Sequence, residues 1–212
     1  MNKEEALKII LDSAKSYSEN FINCNLLFVA CDKHKNVSFL ETTFYSSNFL
    51  HLTGIEPSSK YIDKAGMFFQ DCLDNIVTVD DFNFDKEGQS YLKLQVLKAA
   101  TSRGMSAKMY GEYNGFILHE LLNTEKLIGN NILCLGFVKA KESNNIYVPN
   151  TLLKKDIRDL TGSYKRIIAT YKKSIKDNKY NEMVYLAKKI HLEDYTFPKE
   201  YNYLKQLDFL KY

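Results

Sequence analysis

The chain has no tryptophan, only three prolines in 212 residues, and no apolar run approaching the length that spans a bilayer. So little proline leaves few rigid linkers. Its four cysteines, Cys24, Cys31, Cys72 and Cys134, stand far apart among apolar neighbours, without the paired spacing that holds zinc. They read as reduced core thiols rather than disulfides or metal ligands. The opening Met1-Asn2-Lys3-Glu4-Glu5-Ala6 lacks the apolar core of a secretory signal. These absences predict a soluble, cytoplasmic protein with no membrane partner, no metal and no cofactor. Also missing are a Gly-rich phosphate loop, a Gly-x-Ser-x-Gly elbow, a His-Glu-x-x-His pair and a Cys-x-x-Cys pair.

What is present is ordinary globular material: 45% hydrophobic and 26% charged residues, with thirteen Phe and fifteen Tyr to fill an interior. The formal charge of +3 is too small to announce nucleic-acid binding. Its distribution is more informative. Between Lys154 and Lys189 there are eleven Lys or Arg against Asp156, Asp159, Asp177 and Glu182. A phosphate-facing surface requires such a basic region, although a solvated face scattered with charges has the same composition.

Ala6, Ile9, Ile10, Ala14, Tyr17 and Phe21 recur at helical spacing behind Glu4 and Glu5, where the helix dipole favours negative charge, so residues 3–22 predict an amphipathic helix. The apolar run 26–31 and the segment 37–45, separated by Asp32-Lys33-His34-Lys35-Asn36, read as a hairpin. Ser58 and Ser59 are placed to cap a helix containing Tyr61, Ala65, Phe68, Phe69, Cys72 and Leu73. A further helix is predicted across 78–103, starting near Asp80-Asp81 and closing at Arg103-Gly104. From Ala107 the texture turns to short strands at 108–113, 116–121, 132–139 and 146–148, between Asn-Gly, Gly-Asn and Ser-Asn-Asn turns. Pro149-Asn150-Thr151 then reads as the cap of a short helix over 152–160, before a strand pair at 164–173 and 182–188. The predicted fold class is α+β, with N-terminal helices packed on a small, mostly antiparallel sheet. It forms one domain over 1–190 with a tail over 191–212.

Two features carry chemistry. His51 lies in the apolar segment Phe49-Leu50-His51-Leu52-Thr53-Gly54, and histidine alone among side chains titrates unperturbed near neutral pH. A hydrogen-bonded core histidine fits the same pattern. In the strand 164–173, alternation puts Arg166, Ile168, Thr170 and Lys172 on one face, so two cations and a hydroxyl share a side suited to holding a phosphate. Strand-end lysines that merely solubilise an edge read the same way. His34 and His191 fall at surface positions. His119 neighbours Glu120 on a strand that would point them apart.

The His51 hexapeptide, followed by Leu135-Gly136-Phe137 and by Tyr147-Val148-Pro149-Asn150-Thr151-Leu152-Leu153, resembles the fourth type of phage-associated nuclease domain of the barnase, EndoU, colicin and RelE superfamily. Those domains carry Phe-x-His-Leu-x-Gly and a later aromatic-x-Pro-x-Thr-Leu-Leu. The resemblance implies a metal-independent endoribonuclease of a phage or mobile element, used as a toxin or against host functions and cleaving by attack of the ribose 2′-hydroxyl. RNA is then the substrate, and a cognate immunity protein or antitoxin a possible partner. His51 enters the catalytic set through the signature, while Arg166, Thr170 and Lys172 enter from strand alternation. Thr53, Arg158 and Lys165 are assigned to substrate binding. A non-catalytic module that binds nucleic acid or an acidic protein, with His51 in the core, remains the competing reading.

Overall fold

Asn2 and Glu5 exchange hydrogen bonds between each side chain and the other's backbone N–H, so helix α1 (Lys3–Phe21) starts at a capping box. One face of α1 buries Ala6, Ile10, Ala14, Tyr17 and Phe21. Three further helices, α2 (Ser46–Thr53), α3 (Ala65–Leu73) and α4 (Gln89–Thr101), pack beside it. The protein was studied as a computed structural model that describes residues 1–115, 122–141 and 145–209. The predicted strand 116–121, and His119 with it, lies outside those residues.

The strands are β1 (Cys24–Cys31), β2 (Val37–Thr43), β3 (Glu56–Pro57), β4 (Phe82–Asn83), β5 (Met109–Glu112), β6 (Lys126–Gly129), β7 (Cys134–Lys139), β8 (Ile146–Leu153), β9 (Tyr164–Ser174) and β10 (Glu182–Leu186). Apart from the small β3–β4 pair, their order is β1-β2-β8-β7-β6-β5-β9-β10, and β9 also pairs with β1. That extra pairing closes seven strands into a barrel, which replaces the small, mostly antiparallel sheet expected from the sequence. The closure depends on β9 being eleven residues long. One of its edges holds β1. The other holds β5 at Tyr164–Arg166 and β10 at Ala169–Lys172. At the opposite side of the ring the seam is thin: β2 and β8 run parallel and pair only Glu41 with Ile146 and Thr42 with Tyr147.

Which face is inside follows from the packing. Leu26, Phe28, Leu40, Tyr110, Ile128, Phe137, Leu152 and Ile167, drawn from all seven strands of the ring, meet in one cluster shared with α1 to α4. The opposite faces split into two. Leu27, Val29, Ile168 and Tyr171 lie under Tyr195, Phe197 and Leu204 of the C-terminal segment, and Leu127 and Cys134 lie under Ile157 and Leu160. All four cysteines are buried and unpaired.

Several local expectations shift. Residues 152–160 form the end of β8 and a 3-10 turn at Ile157–Asp159, not a helix. The helix predicted over 78–103 begins at Gln89, where the Asp85 carboxylate accepts from the backbone N–H groups of Gln89 and Ser90. Alternation in β9 is broken by a bulge: Ala30 pairs with Ile167 and Val29 with Ala169, leaving Ile168 without a partner on β1. The bulge shifts the phase of every later side chain. Thr170 and Lys172, opposite Phe28 and Leu26, therefore face inward with Lys165. Arg166, opposite Cys31, faces outward.

Candidate active site

Strands β5 and β6 pair antiparallel with Glu112 directly opposite Lys126, and Glu112 shares the inward face of Tyr110 two residues before it. The Lys126 Nζ donates to Glu112 Oε1 at 2.5 Å. Across the other edge of β5, Tyr110 pairs with Lys165, whose Nζ donates to Ser38 Oγ at 2.5 Å. A carboxylate, two ammonium groups and a phenol thus converge where the barrel interior meets solvent. The mouth is a cavity of about 550 Å³ lined by Ser38, Tyr110, Glu112, Asn114, Thr161 and Lys165. A second cavity of about 470 Å³, lined by Leu40, Tyr110, Lys126, Lys139 and Tyr147, reaches the same tyrosine from the β2–β8 seam.

Glu112, Lys126 and Tyr110 are each shifted by their neighbours. The hydrogen bond and charge of Lys126, with a smaller contribution from Lys165, keep the Glu112 carboxyl below the usual glutamate range. Burial works against the charge on Lys126, but Glu112 and the neighbouring phenols outweigh it and raise that ammonium. Burial, reinforced by Glu112, raises the Tyr110 phenol against the opposing effect of Lys126. At neutral pH the site therefore carries an ionised acceptor beside two cations and a protonated phenol. Among the described residues, no group of three or more His, Cys, Asp or Glu is placed to hold a metal ion.

The residues chosen from sequence are spread over several surfaces. His51 is the one exposed residue of its hexapeptide and opens on a cavity of about 580 Å³ lined also by Ser47, Asp63, Lys64 and Lys93. The groove exists, but its cations come from α4 and the loop before α3, not from the late strands. The rest of the hexapeptide locks helices together. Thr53 is buried, with its hydroxyl donating to the Leu50 carbonyl at 2.6 Å. Gly54 ends α2 at φ +70°, its carbonyl accepts from Ser90, and a Cβ there would come within 2.5 Å of the Lys93 stem. Lys93, whose ammonium is lowered by burial, donates to the His51 carbonyl. Thr170 is 1% exposed. Lys172 reaches the Glu19 carbonyl at the end of α1, Arg158 is paired with Asp156, and Arg166 donates to the Lys188 carbonyl. Only Lys165 joins the mouth.

Sequence reasoning missed Glu112, Lys126, Tyr110 and Ser38. The strand 108–113 was legible, and its alternation aligns Tyr110 with Glu112. The partner was not, because β6 is four residues long and carries no repeating pattern of its own. Opposite charges facing each other across an antiparallel pair are the signal, and they become visible only once the pairing is known.

In comparison with known proteins, the family described as phage-Barnase-EndoU-ColicinE5/D-RelE like nuclease4 matches residues 9–189. No curated protein and no solved structure matches the chain.

Proposed function

Since this chain belongs to the phage-Barnase-EndoU-ColicinE5/D-RelE like nuclease4 family, we propose that it is a metal-independent endoribonuclease whose reaction centre is the barrel mouth. The observation that supports this reading is the set of Glu112, Lys165 and Tyr110 lining the mouth, with Lys126 bonded to Glu112 from the neighbouring cavity that shares Tyr110. Glu112, ionised, takes the proton of a ribose 2′-hydroxyl as that oxygen attacks phosphorus. Lys126 and Lys165 face the charge gathering on the non-bridging oxygens. Tyr110 keeps its proton at neutral pH and delivers it to the departing 5′-oxygen. The bond from phosphorus to the 5′-oxygen breaks, leaving a 2′,3′-cyclic phosphate and a free 5′-hydroxyl. In a phage or mobile element such a chain would act as a toxin on cellular RNA, and an immunity protein or antitoxin would silence it by covering the mouth.

The chemistry is tested with purified chain in EDTA. Single-stranded RNA should be cut to products ending in cyclic phosphate, while the same sequence made with 2′-deoxyribose should survive. Equal cutting of both strands, or cutting that begins only when a divalent cation is added, would overturn the assignment.

A second reading rests on the exposure of His51 within an otherwise buried hexapeptide, beside the lowered ammonium of Lys93. If the reaction centre is the mouth, His51→Ala should change the cleavage rate less than about tenfold, below the range that loss of a general acid or base produces. A loss of 100-fold or more with an unchanged melting curve would move the chemistry to the cavity between α2 and α4.

A further inference from the structure

Beside the mouth, and sharing Ser163 and Lys165 with its lining, is a cavity of about 720 Å³ that the mechanism does not use. The β1–β2 turn contributes Lys33 and Lys35, and the start of β9 contributes Tyr164 and Arg166. Tyr164 leaves 52% of its surface in water, although it sits in a regular strand that could have turned a polar residue outward at that position. Arg166 beside it is steadied by donating to the Lys188 carbonyl at 3.1 Å. Lys35 lies over the Tyr195 ring, 5.5 Å from its centroid.

The acidic groups facing this cavity do not cancel its charge. Asp32 is occupied by its own turn, where it accepts from the backbone N–H groups of His34 and Asn36 and from the Asn36 amide. Asp194 stands 3.9 Å from Lys35. Lys33 and Arg166 remain to meet an anion.

We infer that this cavity holds the RNA next to the scissile phosphate as a single strand, with one base stacked on Tyr164 and the flanking phosphates on Arg166 and Lys33. The inference rests on the mouth being the reaction centre, because it extends the same strand along Ser163–Lys165. An exposed phenol ring offers a π-face that any base can cover, and an adjacent guanidinium pairs with phosphate oxygens. A base inside a duplex already has neighbours on both faces, so the platform selects against paired RNA. The substrate class is thereby narrowed to unpaired segments such as loops and single-stranded regions.

Binding is measured by fluorescence anisotropy on the full chain with a labelled 2′-O-methyl RNA of about 12 nucleotides, which binds without being cut whatever residue performs the chemistry. The single strand should bind at least about tenfold more tightly than the same sequence in a duplex. Tyr164→Ala should lose about tenfold and Tyr164→Phe should stay within about twofold, as expected of stacking rather than of the hydroxyl. Arg166→Ala should lower the slope of log affinity against log salt by about 0.7, one phosphate contact on a single strand. Unchanged binding by Tyr164→Ala, or tighter binding of the duplex, overturns the inference. Neither result depends on which groups cut RNA, so a failure at the mouth and a failure at Tyr164 are read separately.

Discussion

Replacing Glu112 with glutamine is expected to lower RNA cleavage by about 100- to 10,000-fold, the range found when a positioned general base is removed. The substitution keeps shape and leaves an amide oxygen that can accept from Lys126, so the cross-strand contact at the barrel rim survives while proton acceptance is lost. Glu112 is an exposed strand-end residue, and the melting temperature should hardly move. The pH profile supplies a second, independent reading. The proposed mechanism requires Glu112 deprotonated, and Lys126 holds its carboxyl below the usual range, so activity is expected to fall only on acidification past the ordinary glutamate value of about 4.3. Catalysis also needs Tyr110 protonated, and its phenol is raised, so the alkaline limb lies above about 10. A broad plateau through neutrality is the expected result. A limb inside the expected plateau that vanishes in His51→Ala would assign proton transfer to imidazole instead.

The second large effect is on stability. Phe137→Ala should cost about 3–5 kcal/mol, the range for deleting a buried aromatic side chain and leaving a cavity. In a chain of this size that corresponds to a fall in melting temperature of roughly 6–20 °C, read by circular dichroism. Phe137 is fully buried on the inner face of β7 and meets Phe44 edge-on at 6.2 Å. Phe44 stacks on Phe21 at 4.8 Å, and Phe21 meets Tyr17 on the same face of α1. Removing Phe137 therefore opens a gap where the barrel lining joins the helical layer. Phe137→Leu, which leaves part of that volume filled, should fall between the parent and the alanine variant. A shift of less than about 3 °C for the alanine variant would contradict the packing.

Elements set by local pattern were legible in the sequence. The acidic first turn and 3.6-residue spacing of α1, the hairpin of β1 and β2 around its polar turn, and the strands β9 and β10 all carry their signal within a few residues. Barrel closure carries none. Pairing of β1 with β9 joins residues well over a hundred positions apart, and the parallel contact of β2 with β8 involves two residue pairs. The bulge at Ile168 is equally silent, since an unpaired residue between two apolar neighbours looks like any strand interior, yet it moved Arg166 away from Thr170 and Lys172. Pro149 misled in the opposite direction. Proline followed by Asn and Thr has the chemistry of a helix cap, but here it pairs with Phe137 beside a register shift in β7 and β8, a place where a strand accepts proline. At the mouth, the basic character of the late strands led to Lys165, which lines the cavity. The carboxylate beside it could not be found without knowing which strand lies beside which.

The three neighbours of β9 set an order of events during synthesis. Tyr110, Glu112 and Lys126 leave the ribosome well ahead of residues 164–174, and until that last long segment emerges the curved sheet has no strand to bridge its open side. The nascent polypeptide also lacks the second ammonium group of the mouth, which β9 itself brings. On the proposed reading, the mouth is complete only once residues 164–174 have joined β1 and β5.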